Sequence, residues 1–477
     1  MLRTWLYRFA RDRKANVAVI AALTMVPIVF LLGMTLDFTQ ALRKKEQLDA
    51  AADAAAIAAV RPAMLMASDT VAAATANAIF MSTANSLSPG LAAVPTPTIT
   101  VTDVGLQRTV SVSYNAASLN NFPVLLMNSP SWPISGSATA KAGSAPNMNF
   151  YLLMDDSPSM AIGATATDIT NLIAATASQP GGSKSCGFAC HETNIAADGG
   201  GATRDNLSIA RSNNITLRID LVTSAVNQLL NTWSNCPQTG ISGGVMQCMS
   251  ALNNTTYKAA LYTFDLGLNT LQTLTTPTLA GTKVNNIALM PVDHHNCVFS
   301  GCSSTNPANP TTDHGTDIAG ALSALNGSMP APGLGSNATG DTPQEVIFLV
   351  TDGVEDKIVA NAAACPNATL ATSFKRCQQP LDTSICTTIK SRGIKIAILY
   401  TEYLQLKTPN IPVTDSWYMT WVDPYDTPTS ASGTIAQNLK ACASPGFFSD
   451  VQTGGDISQA LTDLFIKVAS SAASLTQ

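Results

Sequence analysis

The sequence predicts an α/β protein in which a membrane-spanning helix and a helical stalk precede a sheet whose strands alternate with helices. The stretch from Ala15 to Leu36 carries no charge. Apolar runs of strand length occur further on, at 147–154, 257–264, 345–352 and 395–400. Amphipathic helical patterns occur at 215–233 and 456–469. This alternation is typical of a doubly wound, Rossmann-like parallel sheet with helices on both faces.

Length and composition exclude several classes of protein. A chain of 477 residues is long enough for an anchor and two or more domains of ~100–200 residues. Charged residues make up 12% of it and the net charge is -5, so it lacks the clustered basic residues of a nucleic-acid-binding protein. The 46% of hydrophobic residues excludes disorder as the main state. With four histidines, catalysis that depends on histidine is disfavoured.

The uncharged stretch predicts a single-pass anchor, with residues 1–36 forming a cytoplasmic leader and a transmembrane helix. At ~1.5 Å per residue it covers the ~30 Å hydrocarbon core of a bilayer. A cleaved signal peptide is the alternative, but its apolar region would be shorter, ~7–15 residues. Positive charges before the span place the N-terminus inside and the rest outside; they are Arg3, Arg8, Arg11, Arg13 and Lys14.

Residues 37–145 predict a helical stalk and a small β region. The stretch Gln40–Val60 is rich in alanine, the best helix former, and a second helical stretch runs from about Ser68 to Ser86. Alternating patterns then predict three strands, at Thr98–Val104, Arg108–Tyr114 and Trp132–Lys141.

This N-terminal part resembles the TadE/TadG-like proteins of bacterial tight-adherence (Flp) pilus systems. The resemblance covers residues 1 to about 145. It is carried by the matching residues Asp37, Leu48, Ala50 to Ala56 with Asp53 inside, Ala138, Ala140 and Ala142. It implies a role in pilus assembly and a location in the bacterial inner membrane. The span lacks the Glu of a prepilin-type leader, so we expect no processing by a prepilin peptidase.

Oxygen-bearing side chains follow two of the predicted strands. Asp155, Ser157 and Ser159 form a D-x-S-x-S turn after the first apolar strand, and Asp352 ends another. A Gly-Thr pair places Thr316 at the start of a helix. Ligands bind open α/β sheets at the carboxyl ends of the strands, and Mg²⁺ requires oxygen donors. The sequence therefore predicts a Mg²⁺ (or Mn²⁺) site there.

These five residues together resemble the metal-ion-dependent adhesion site of von Willebrand factor A domains. The resemblance covers about residues 147–472, and we assign residues 146–477 to such a domain. It departs from the family at Pro158, where Gly is more common, and at Asp156, an extra carboxylate that we expect to face solvent. It implies a metal site with one coordination position open for a carboxylate of a protein partner, and no catalysis.

All ten cysteines follow residue 185, as expected of a disulfide-bonded domain in an oxidising compartment. Polar insertions at about 161–214 and 292–313 carry two close pairs, Cys186 with Cys190 and Cys297 with Cys302, which we expect to form local bridges. Haem attachment at the first pair and zinc binding at the second, with His294 and His295, are weaker alternatives. The other six cysteines allow 15 pairings.

The preferred hypothesis is a membrane-anchored, non-catalytic pilus assembly or adhesion protein that binds a protein partner, a pilus or envelope component, through the metal. One alternative is a structural assembly factor with a metal-free, inert domain. Another is a metal-dependent hydrolase that uses Asp352 and a nearby His. Metal affinity separates the first two, and the third requires a base near the metal.

Overall fold

The α/β prediction is confirmed by the computed structural model, which describes residues 15–65, 67–121, 130–179, 184–188, 205–238, 240–292, 315–359, 376–402, 422–426, 434–452 and 454–474. The chain divides into two compact units, unit 1 up to Ser144 and unit 2 from Ala145 to Leu475.

Unit 1 contains a long N-terminal helix, a short helix, a third helix and a three-stranded antiparallel sheet of order β1-β2-β3. Ser68 caps the third helix, since its side chain accepts a hydrogen bond from the backbone of Val71. The elements are α1 Ala15–Ala59, α2 Pro62–Leu65, α3 Asp69–Ser86, β1 Thr98–Val104, β2 Gln107–Leu119 and β3 Ser131–Gly143.

Helix α1 holds the predicted span. Among the described residues, this is the one helix long and apolar enough to cross a membrane. The part of α1 beyond the span packs against α3 and the sheet through alanines, and its buried members include Ala51, Ala52, Ala55, Ala56 and Ala59. Small side chains let the helices and the sheet approach closely.

Unit 2 is built on a six-stranded sheet of order β11-β10-β7-β4-β5-β6. Its strands are β4 Met148–Asp155, β5 Tyr257–Phe264, β6 Leu268–Thr275, β7 Gln344–Thr351, β10 Lys395–Thr401 and β11 Phe448–Val451. Five of them are parallel, whereas β6 runs antiparallel to β5. The predicted parallel sheet thus has one antiparallel edge strand, β6, because a three-residue turn can join only antiparallel neighbours.

Helices and a second hairpin complete unit 2. The helices are α4 Ala166–Ala175, α5 Asn206–Ser212, α6 Arg218–Leu230, α7 Val245–Leu252, α8 Pro277–Gly281, α9 Ile318–Ser328, α10 Ser384–Ser391, α11 Asp423–Asp426, α12 Ile435–Cys442 and α13 Ile457–Ser474. The hairpin pairs β8 Val354–Ile358 with β9 Arg376–Pro380.

Buried apolar clusters cover both faces of the large sheet, which explains why the central strands are apolar on both sides. On one face Phe150 packs against Phe348 and Phe465, with ring centroids 5.8 and 4.9 Å away. The carboxyl ends of β4 and β7 are therefore held by a rigid core.

Within the described part of the chain, disulfides join Cys236 to Cys248 and Cys386 to Cys442, with Cα atoms 5.8 and 5.1 Å apart. Both belong to the six cysteines whose pairing the sequence left open. Cys190, Cys297 and Cys302 lie outside the described residues, so the two local bridges stay predictions.

Candidate metal centre

The candidate site lies where two central parallel strands end side by side. Strand β4 is buried along its whole length and ends at Asp155, and its neighbour β7 ends at Thr351, directly before Asp352. The two strands pair in parallel, with Met154 opposite Val350. Their carboxyl ends therefore bring Asp155 and Asp352 to the same edge of the sheet.

The turn after β4 brings three predicted ligands together. The hydroxyl of Ser157 donates to Oδ1 of Asp155 at 2.5 Å, and its backbone N–H donates to the same oxygen at 3.1 Å. The hydroxyl of Ser159 lies 3.0 Å from that of Ser157. A residue spacing of two thus places three oxygen donors around one point, as the D-x-S-x-S pattern predicts.

The second oxygen of Asp155 has a partner that sequence reasoning missed. The hydroxyl of Thr351, the last residue of β7, donates to Oδ2 of Asp155 at 2.6 Å and accepts from the backbone N–H of Gly353 at 3.0 Å. Its position directly before Asp352, after the apolar run Val346–Val350, was the available signal. Thr351 fixes the orientation of the Asp155 carboxylate.

The two carboxylates are fully buried and close enough to affect each other. Asp155 and Asp352 both have 0% exposure. Burial, with the nearby charge of Asp352 as the second cause, raises the pKa of Asp155 to about 8. Burying two negative charges side by side is costly unless a cation or a proton compensates them.

A buried arginine contributes positive charge at this point and was also missed. Arg218 is the first residue of α6, and a guanidinium nitrogen lies 3.4 Å from Oδ2 of Asp352. Another nitrogen donates to the carbonyl oxygen of Glu402 at 2.9 Å. The signal in the sequence was a basic residue in an amphipathic helical segment, at a position next to those whose apolar side chains face the core. Arg218 supplies an internal cation next to one candidate ligand.

Thr316 is held by its backbone. Its N–H and C=O pair with the C=O and N–H of Asp356 in β8, at 3.0 and 2.8 Å. A Cβ on the preceding Gly315 would come within 3.1 Å of Pro158, so this segment lies against the Asp155 turn. Asp317 caps α9, because its side chain accepts from the backbone of Gly320, which confirms a helix start after Thr316.

The donor set therefore depends on hydroxyls as well as carboxylates. The structure joins Asp155, Ser157 and Ser159 by hydrogen bonds and brings Asp352 near Asp155. The segment that carries Thr316 lies against the Asp155 turn through Gly315 and Pro158. Within the described ranges, no group of three or more His, Cys, Asp or Glu could hold a metal ion.

Asp156 does not face solvent, contrary to the expectation from sequence. It is 6% exposed, and its Oδ1 has no hydrogen-bond partner. Burial raises the pKa of Asp156 to about 7. The backbone explains the burial: the N–H of Asp156 donates to the carbonyl oxygen of Phe264, and its own carbonyl oxygen accepts from Met290.

Comparison with known families agrees with the N-terminal resemblance. Residues 15–76 match the family described as "Putative Flp pilus-assembly TadE/G-like", which confirms the resemblance inferred for this part of the chain. No curated protein matches the chain in sequence.

Several solved structures are similar to parts of the chain. The conserved hypothetical protein BatB from Bacteroides thetaiotaomicron is 12% identical, with 68% of this chain and 100% of that chain covered and a TM-score of 0.31. The PilB minor pilin from Streptococcus sanguinis is 11% identical, with 79% and 78% covered and a TM-score of 0.31. The vWF domain of the type V pili tip protein Mfa5 from Porphyromonas gingivalis is 9% identical, with 69% and 97% covered and a TM-score of 0.31.

Proposed function

We propose that this chain is a membrane-anchored, non-catalytic pilus assembly or adhesion protein whose unit 2 binds a divalent cation, Mg²⁺ or Mn²⁺, and through it a protein partner. The observation that carries the proposal is the convergence of Asp155, Ser157 and Ser159 at the end of a central strand, beside Asp352. Together with Thr316 they would hold the cation.

The residues fit such a cation by their chemistry. Carboxylates and hydroxyls are the hard oxygen donors that Mg²⁺ and Mn²⁺ prefer. Two buried carboxylates attract a cation more strongly than hydroxyls do, so Asp155 and Asp352 would supply most of the affinity. When bound, the cation supplies a Lewis-acidic position that a carboxylate of a pilus or envelope component can occupy.

A second candidate function is a structural assembly factor with a metal-free unit 2. The observation that favours it is the ion pair between Arg218 and Asp352. In this alternative the guanidinium compensates the buried carboxylate permanently, and the anchor and stalk carry the assembly role. The two candidates differ in one measurable property, the effect of divalent cations on the stability of unit 2.

The test is a thermal melt of the full chain in detergent, with EDTA or with Mg²⁺. Wild type should melt at a higher temperature in Mg²⁺ than in EDTA. When free Mg²⁺ is ~100-fold above its Kd, binding adds about 2.7 kcal/mol to the free energy of unfolding. Asp352→Asn should lose this shift. Asp463→Asn, which alters an exposed carboxylate on α13, should retain it. The same melting temperature for wild type in EDTA and in Mg²⁺ would favour the metal-free candidate.

We further propose that the N-terminus is cytoplasmic and unit 2 lies outside the bacterial inner membrane. The basic residues before the span support this orientation. The disulfides Cys236–Cys248 and Cys386–Cys442 also support it, because such bonds persist in oxidising compartments. Protease added to intact spheroplasts should digest unit 2, and its complete protection would reverse the orientation.

A further inference from the structure

The last turns of the apolar span are less exposed than the turns before them. From residue 17 onward the span is exposed almost throughout, as expected of a helix that faces lipid. Gly33, however, is buried, and Phe30 and Met34 are half-buried. These three residues lie within two helical turns of Asp37, where charged residues begin.

The end of the small sheet reaches α1 at the same level. The backbone N–H of Asn121, just after β2, donates to Oδ1 of Asp37 at 2.9 Å, and its side-chain amide donates to Gln40 at 2.6 Å. The ring of Trp132, near the start of β3, meets the ring of Phe38 edge-on, with centroids 5.7 Å apart. We call these residues, Asp37, Phe38, Gln40, Asn121 and Trp132, the membrane-proximal end of unit 1.

The depth of this end follows from helix geometry. Phe38 lies two residues beyond Leu36, which is ~3 Å along the axis, and Gly33 lies ~4.5 Å on the other side of Leu36. If Leu36 marks the end of the hydrocarbon core, Phe38 and Trp132 are in the interfacial layer. Trp and other aromatic side chains with one apolar and one wet side are enriched there.

The chemistry of this end is compatible with lipid contact. Leu36 and Phe38 are 53% and 48% exposed, so apolar surface is available. On the helix, the first basic side chains come only at Arg43 and Lys44, and Nζ of Lys44 donates inward to the carbonyl oxygen of Gly90.

We propose that the membrane-proximal end of unit 1 docks on the lipid surface of the bilayer that contains the span. This surface contacts the layer of the bilayer where lipid headgroups meet the acyl chains. Phe38 and Trp132 lie in that layer, and the contacts from Asn121 to Asp37 and Gln40 fix the sheet to the helix there. The span and the sheet thus form two joined membrane contacts, which hold unit 1 against the bilayer. The inference rests on the membrane anchoring in the proposed function.

The experiment measures the depth of Trp132 in full-length protein reconstituted into phosphatidylcholine vesicles. The fluorescence of Trp132→Phe is subtracted from that of wild type. With lipid brominated near the carbonyl end of its acyl chains, the difference signal should lose most of its intensity, whereas aqueous acrylamide should quench it weakly. A second variant, Phe38→Trp on the Trp132→Phe background, moves the probe to the helix and should behave in the same way.

The outcomes separate this inference from the anchoring. If the protein stays in the vesicles after sodium carbonate extraction but brominated lipid leaves both probes unquenched, the docking is wrong and the anchor stands. If carbonate releases the protein, the anchor is wrong and the docking falls with it. Quenching of both probes by lipid in carbonate-resistant protein supports the proposal.

Discussion

The two units bury arginines in different ways. In unit 1, Arg108 is 3% exposed and donates to both oxygens of Asp103, at 2.8 and 2.6 Å, and to Asp69 at 3.0 Å. It also donates to backbone carbonyl oxygens of the α2 region. In unit 2, Arg218 lies 3.4 Å from Asp352, which is close to a second buried carboxylate. The first arrangement surrounds one arginine with acceptors, whereas the second places one buried arginine beside two buried carboxylates at a strand end.

The difference supports the proposal of a metal site in unit 2. Buried charge is costly, and a saturated network such as that of Arg108 recovers the cost through hydrogen bonds. Asp155 beside Asp352 retains a cost that a cation or a proton can relieve. The predictions below test this contrast, beginning with the largest expected change.

The largest effect should come from the disulfide Cys386–Cys442. It closes a loop with a sequence separation of 56, for which chain entropy predicts about 4 kcal/mol of stabilisation. Cys386→Ala with Cys442→Ala should therefore lower the stability of unit 2. Unit 1 is built from a segment without cysteine, so hydrogen exchange in β2 should not change. Equal loss of protection in both units would contradict the independence of their cores.

Removing the saturated arginine should destabilise unit 1. Arg108→Met removes the charged hydrogen bonds that a buried guanidinium makes to Asp103 and Asp69, at a cost of about 2–3 kcal/mol. Hydrogen exchange of β1 and β2 measures this loss. The matched control is Arg211→Met, which removes an exposed ion pair with Asp220 and should cost less than ~1 kcal/mol. Similar small effects for both variants would show that the Arg108 network is dispensable.

Removing the internal cation of unit 2 should strengthen metal binding. In Arg218→Gln the positive charge next to Asp352 disappears, so a metal ion meets less repulsion. We expect the affinity for Mn²⁺ to rise about tenfold, or ~1.4 kcal/mol, by calorimetry on the full chain. Arg211→Gln serves as the control. A weaker affinity would instead make Arg218 a residue that positions Asp352.

The smallest effect concerns Glu345, which lies at the start of β7, at the end of the large sheet opposite to the candidate site. Glu345 is 1% exposed, and burial raises its pKa. The folded state then binds the proton more tightly than the unfolded state, so wild type loses stability as pH rises above the ordinary Glu pKa of ~4.3 toward the raised value. Glu345→Gln avoids this loss. Its melting temperature relative to wild type should increase from about pH 4 to about pH 8, and an unchanged difference would contradict the raised pKa.

Local patterns predicted the fold class and the proximity of Asp155, Ser157 and Ser159; their role as metal ligands stays a prediction. The apolar run before Asp155 predicts its strand, and the spacing of Asp155, Ser157 and Ser159 predicts their convergence, because both depend on neighbouring residues. Contacts between distant segments could not be read in this way. Arg218 and Asp352 are 134 residues apart, and one sequence pattern does not say which buried charges meet.

The same limit explains the other differences. The hairpin of β8 and β9 pairs Asp356 with Thr316 through the backbone, which leaves no side-chain signature. The burial of Asp156 follows from backbone bonds to Phe264 and Met290, although an isolated carboxylate normally prefers water. The position of Thr316 and the burial of Asp156 are therefore set by tertiary contacts, which residue types alone do not predict.

The most direct test of the metal centre is calorimetric titration of the full chain with Mn²⁺ after removal of bound metal by EDTA. We predict that wild type binds one Mn²⁺ per chain, that Asp155→Asn gives no heat of binding, and that Asp463→Asn binds as wild type does. Asp155→Asn keeps the shape of the side chain and removes the charge, so its fold can be checked in the same sample by circular dichroism. No heat with wild type, or the same heat with Asp155→Asn, would contradict the account.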